Sequence, residues 1–179
     1  MSTYIALLRG INVSGQKKIL MADLKALFES QGFENVQTYI QSGNVVFECD
    51  KASTKEIARL IEAAIVKQYN YHVPTLVLTV KEIEISIERN PFIGQPHIDT
   101  KNLAITFLES IPYPENLEKL AKIDFPPDQF IVDDLKIYLN LPNGAGRTKL
   151  TNNLFENKLK VSATSRNWRT VNKLVEMTR

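Results

Sequence analysis

Along the first 80 residues the apolar positions change period in a regular order. Residues 3–8 read as a strand, and residues 21–31 place Leu24, Leu27 and Phe28 on one helical face that Gly32 closes. Residues 36–40 and 45–48 read as two strands joined around Ser42-Gly43, a tight-turn signal. Ser53-Thr54-Lys55-Glu56 has the form of a capping box, and it opens a helix whose Ile57, Leu60, Ile61, Ala64 and Ile65 make one stripe. Residues 74–80 complete the order βαββαβ, the ferredoxin-like arrangement of a split βαβ unit.

The second half repeats that order after a connecting stretch. Residues 81–90 predict a short helix ended by Asn90-Pro91, and Gly94 and Pro96 make the next ten residues a linker. A strand over 103–108, a helix over 114–122 and a hairpin of 130–132 with 135–139 come next. A helix over 149–157, a short strand over 161–163 and an added helix over 166–177 complete the chain. The expected fold class is therefore α+β, two tandem ferredoxin-like (βαββαβ) subdomains with an extra C-terminal helix. The expected divisions are 1–80, a connecting helix and linker over 81–100, and 101–179. The runs Ile5-Ala6-Leu7-Leu8, Val45-Val46-Phe47 and Leu103-Ala104-Ile105 are apolar on both faces, so each sheet needs a second cover, from the other half or from self-association.

Composition adds limits rather than a function. With 44% hydrophobic and 23% charged residues, the 179-residue chain can build a packed core. Cys49 is the single cysteine, so no disulfide framework or cysteine-based zinc site forms within one chain, and His72 and His97 lack metal-ligand spacing. Neither a metal nor a cofactor is expected. No apolar run approaches the roughly 20 residues of a spanning helix, and residues 1–10 enter a strand pattern with no leader-like basic region, which points to a cytoplasmic protein with no membrane partner. The net charge of +2 is uneven: residues 147–179 carry +6 and the remainder −4. Such polarity suits an anionic partner near the C-terminal end, and suits equally a solvated basic face.

Three stretches carry candidate chemistry. A right-handed first crossover makes the first two strands of a βαββαβ unit parallel, which brings the loop from Arg9 to Gly15 and the turn Gln41-Ser42-Gly43-Asn44 to one sheet edge. Arg9, Asn12, Gln41 and Asn44 can then converge on one ligand, although as turn glycines and loop-capping amides the same segments need none. Pro142-Asn143-Gly144-Ala145-Gly146-Arg147-Thr148-Lys149 is a glycine-rich loop expected to feed a helix, where backbone amides, Arg147 and Lys149 would cradle an anion; it lacks Walker A spacing. In Thr164-Ser165-Arg166-Asn167-Trp168-Arg169, a cap at Thr164 or Ser165 would set Arg166 and Arg169 in a helical first turn, where an anion would offset their unfavourable position.

The motifs Leu7-Leu8-Arg9-Gly10-Ile11-Asn12-Val13, Thr38-Tyr39-Ile40-Gln41-Ser42-Gly43-Asn44-Val45-Val46-Phe47 and Thr164-Ser165-Arg166-Asn167-Trp168-Arg169-Thr170-Val171 together resemble the bacterial family known as domain of unknown function 1697. The resemblance implies a two-domain α+β fold with ferredoxin-like halves and no established activity. Its motif residues fall on Arg9, Asn12, Gln41, Ser42, Asn44, Lys149, Arg166 and Asn167. The expected function is binding of a small anionic or phosphorylated ligand, with or without catalysis, in a cleft between the subdomains. A non-enzymatic interaction or regulatory module is the alternative. Nucleic-acid binding ranks last, because the expected sheets offer Tyr4 and Phe47 among aliphatics and no RNP1 pattern.

Overall fold

In the computed structural model, which describes all 179 residues, the period-two runs are strands and the period-3.6 runs are helices. The chain divides into two units, Met1–Glu84 with Lys173–Arg179, and Ile85–Asn172. The first unit contains β1 (Ser2–Leu8), α1 (Met21–Ser30), β2 (Glu34–Tyr39), β3 (Asn44–Cys49), α2 (Thr54–Tyr69) and β4 (Thr75–Thr79). Its sheet has the order β2-β3-β1-β4, and every neighbouring pair is antiparallel.

The side chains explain this assembly. Alternation in β1 and β3 puts Tyr4, Ala6, Leu8, Val45 and Phe47 on one face, where they pack with Leu24, Leu27 and Phe28 of α1 and Ile57, Ile61 and Ile65 of α2. Each of the three isoleucines is fully buried, which contributes about 1.5–3 kcal/mol apiece. Phe28 meets Phe47 edge-on with centroids 5.3 Å apart. Helix α2 begins where the capping signal placed it, with Ser53 Oγ accepting from the Glu56 amide at 3.3 Å. Ile5, Leu7 and Val46 on the opposite face are buried as well.

Helix α3 (Val80–Glu88) follows, and after a 3-10 turn at Thr100–Asn102 the second unit contains β5 (Leu103–Leu108), α4 (Pro114–Ala121), β6 (Gln129–Asp133), β7 (Lys136–Asn140), α5 (Asn152–Leu159) and β8 (Ala163–Asn167). The sheet order is β6-β7-β5-β8, again antiparallel throughout. Ala104, Leu108, Ile137 and Leu139 form a core with Leu120 of α4 and with Phe155 and Leu159 of α5. A polar chain crosses the layer: Asn152 Oδ1 accepts from the Ser165 hydroxyl at 2.5 Å, and Ser165 Oγ lies 2.6 Å from buried Thr106 Oγ1. The last helix, α6, spans Trp168–Glu176.

Both sheets are stitched alike at the end of their first strand. The Leu8 amide donates to Gly43 O and the Leu108 amide to Leu135 O, each at 2.8 Å. The next amide, of Arg9 or Glu109, reaches Pro74 O at 2.9 Å or Ser162 O at 3.0 Å.

Two expected boundaries move. The helix expected over 149–157 begins only at Asn152, because Thr151 Oγ1 accepts from the Leu154 amide at 3.2 Å and so sets the first turn; Lys149 lies ahead of the helix. Residues 163–167 are not a helix start: they pair with β5 from Leu108↔Ala163 to Ala104↔Asn167, which satisfies their backbone as strand. Asn167 rather than Thr164 or Ser165 then caps α6, its Oδ1 accepting from the Thr170 amide at 2.8 Å.

Candidate functional site

The two loops expected at one edge of the first sheet do meet there. Because Leu7 of β1 pairs with Asn44 of β3, the chain leaving β1 runs beside the turn that enters β3. Gly43 holds the closest approach: a Cβ built on it would lie 2.8 Å from both Leu8 Cβ and Ile11 Cδ1, and its φ of +83° is one that side-chain-bearing residues avoid.

Asn12 ties the loop together. Its Nδ2 donates to Ile19 O and to Gln41 O, both at 2.9 Å, and its Oδ1 accepts from the Ile19 amide at 2.9 Å. Asn44, fully buried, donates through Nδ2 to Tyr39 O at 2.9 Å and to Ser42 Oγ at 3.0 Å. Both amides are thus committed to backbone or to the turn, so Asn12 and Asn44 shape the edge. Arg9 is half-buried, and Gln41 and Ser42 are exposed on the same edge.

The two loops themselves carry only positive charge, while the Glu62 carboxylate accepts from the Thr75 amide beside them. From Arg9 to Leu20 and from Ile40 to Gly43 the chain carries Arg9, Lys17 and Lys18 and no carboxylate. Lys17 and Lys18 belong to none of the motifs, and the signal that marks them is a lysine pair directly after a glycine loop. The Lys17 ammonium donates to His72 O at 2.5 Å, which pins the far side of the loop to the segment before β4.

The remaining candidates all belong to the second unit. Lys149 is exposed and holds its ammonium 5.4 Å from the centre of the Phe125 ring, a cation–π contact. Its glycine-rich loop does not run straight into a helix, which begins at Asn152, and two of its amides are spent within it: Gly144 donates to Leu141 O at 2.8 Å and Arg147 to Gly144 O at 3.1 Å. Arg166 stands in β8, where its Nη1 donates to Ser165 O at 2.9 Å and burial of the guanidinium pulls its pKa down to about 10. It keeps its charge at neutral pH, but it is not in a helical first turn, so the helix-dipole argument fails for it and holds only for Arg169. Asn167 is occupied as the cap of α6.

His72, His97 and Cys49 gather no further ligands, and no cluster of three or more histidine, cysteine or acidic side chains has the form of a metal site. No helix is long and apolar enough to cross a membrane. Comparison with curated proteins finds no match. Among solved structures the chain is similar to the conserved bacterial protein SP0830 from Streptococcus pneumoniae, with a TM-score of 0.75 and 22% identity over 99% of each chain, a likeness of fold. The family model described as protein of unknown function (DUF1697) matches residues 1–138, which takes in both edge motifs and leaves Lys149, Arg166 and Asn167 beyond the match. On that match, the chain belongs to the DUF1697 family.

Proposed function

We propose that the protein binds a small anionic ligand, phosphorylated or carboxylated, at the loop edge of its first unit. The observation that carries this reading is the closure of two loops on each other, through Asn12 and Gly43, in segments that carry three cations and no carboxylate. A guanidinium can give planar, bidentate donors to such a group while keeping the contacts Arg9 makes within the protein, and exposed Lys18 on the loop adds charge. Binding is the claim, and no reaction is assigned. Reading both units as ferredoxin-like belongs to this proposal and is supported by their strand order. So does a cytoplasmic setting, which the single unbridged Cys49 suits.

Nucleic-acid binding ranks lower because Tyr4 and Phe47, the aromatics a base would need, are 4% and 0% exposed on the helix-covered face. An interaction module is the second reading, favoured by Val13, Leu20 and Ile40, apolar side chains 58%, 60% and 47% exposed on the same loops.

The test is a thermal-shift comparison of the parent, Arg9→Met and Lys18→Met across inorganic phosphate, sugar phosphates, nucleotides and citrate. A compound that stabilises the parent by several degrees, loses its effect in Arg9→Met and is weakened in Lys18→Met supports the site. Equal stabilisation of all three proteins, or none of the parent, ends it. Because Lys18 is exposed, its variant decides the question even if the half-buried Arg9 proves necessary for folding.

A further inference from the structure

Strand β6 lies at one border of the second sheet, next to β7 alone. A cavity of about 730 Å³ runs beside it and touches every residue from 128 to 132, together with Leu117 of α4. That lining is informative because successive strand residues point to opposite faces. Phe130 and Val132 pack towards the core under the helices, while Ile131 faces the other way and is 41% exposed. A cavity that meets Leu117 and Phe130 on the helix side and the exposed Ile131 of the same border strand lies at that strand's free edge. The shape is therefore a groove along β6, and a five-residue strand offers about 17 Å of it.

Asp124, Asp128 and Asp134 line the groove, and no lysine, arginine or histidine does. Arg147 and Lys149 lie beyond Asp124 and Asp128, in an adjoining recess that shares both aspartates. Asp128 Oδ2 accepts from the Thr148 hydroxyl at 2.6 Å, whereas its Oδ1 is buried and accepts no hydrogen bond. A buried carboxylate oxygen without a donor is costly.

We propose that this groove receives an extended segment of another polypeptide, one that carries lysine or arginine beside aliphatic residues and adds to the sheet as a strand along β6. Main-chain pairing would supply the attachment, the apolar walls at Leu117, Phe130 and Ile131 would take alternate side chains, and the aspartates would select the basic ones. A second copy of this chain is a poor occupant, because pairing β6 with β6 would set two acidic rims against each other. The inference does not rest on anion binding by the first unit, and its probes leave that reading untouched.

The test uses the full chain, ¹⁵N-labelled, titrated with three capped octapeptides: alternating Val-Lys, alternating Val-Glu, and Val-Lys with every valine N-methylated. Val-Lys should give saturable amide shifts centred on Gln129–Asp133, Val-Glu should bind at least tenfold more weakly, and N-methylation should abolish binding. The double variant Asp124→Asn with Asp134→Asn should weaken Val-Lys binding about fivefold. Both positions are exposed, and asparagine suits the positive φ of residue 134, so the fold survives the change. Absence of saturable shifts to millimolar peptide, shifts centred elsewhere, equal binding of the N-methylated or Val-Glu peptide, or a double variant that binds like the parent would each overturn the proposal.

Discussion

The end of β1 and the end of β5 are built on the same backbone stitches and carry opposite charge. Leu8 and Leu108 each donate to the residue before the neighbouring strand on one side, and Arg9 and Glu109 each donate to the residue before the neighbouring strand on the other. Yet Arg9 begins a twelve-residue loop with three cations, whereas Glu109 begins a five-residue connection to α4 and lies near the turn made by Asp133 and Asp134. Hydrogen bonds between backbone groups are indifferent to side-chain identity, so the frame repeats while the residues hung on it diverge. Chemistry in this protein is to be sought in what differs between the ends, and the core shared by the two sheets carries none of it.

The largest expected effect tests how tightly the first end is closed. Gly43→Ala should cost about 3 kcal/mol, since it combines a strained φ with collisions against Leu8 and Ile11. Gly144→Ala, at φ +84° with open space around it, should cost only about 1 kcal/mol. Urea denaturation of both variants measures the difference; equal losses would mean that conformation alone, and not loop closure, requires Gly43.

Asn12→Ala comes next. It strips three hydrogen bonds from a half-buried brace and should cost about 2 kcal/mol by the same measurement. The connection after Glu109 has no such brace, so a loss below about 0.5 kcal/mol would show that the longer loop holds its shape without one.

Tyr138 gives a smaller effect in the second unit. Its hydroxyl is buried and makes no hydrogen bond, and burial first, then the Asp133 carboxylate, push its pKa up to about 12 against the opposing pull of Arg89. Tyr138→Phe should therefore leave stability unchanged or raise it by about 1 kcal/mol. Between its unfolded value near 10 and about 12 the folded chain holds a proton that the unfolded chain has lost, so this group's contribution to stability falls as pH rises through that window. Ultraviolet titration should show one of the six tyrosines ionising near 12, and its disappearance in Tyr138→Phe assigns it.

The smallest effect is Glu109→Arg, which gives the second end the charge of the first. The side chain is exposed, so stability should stay within about 0.5 kcal/mol. A larger change would mean that the sign of this residue is part of the frame.

Local physics explains what was legible from the chain alone. The order of strands and helices follows from a change of period between two and 3.6, and the start of α2 follows from a cap that needs only Ser53 and the amide of Glu56. Family membership was legible because each of the three motifs, around Arg9 to Asn12, Gln41 to Asn44 and Thr164 to Val171, is a short run of adjacent residues. The extent of β8 was not. Thr164, Ser165 and Asn167 are all competent caps, and only the neighbouring β5 decides that the first two are strand. Nor could the sequence separate a binding amide from a bracing one: Asn12 and Asn44 look like ligand donors until Ile19, Tyr39 and Gln41 arrive to consume them. The groove beside β6 was invisible for the same reason, since an edge exists only once the order of a sheet is known. Composition and period act over a few residues and determine elements, while the use to which a polar side chain is put depends on partners brought from about 30 or 60 positions away, and that is decided by tertiary structure.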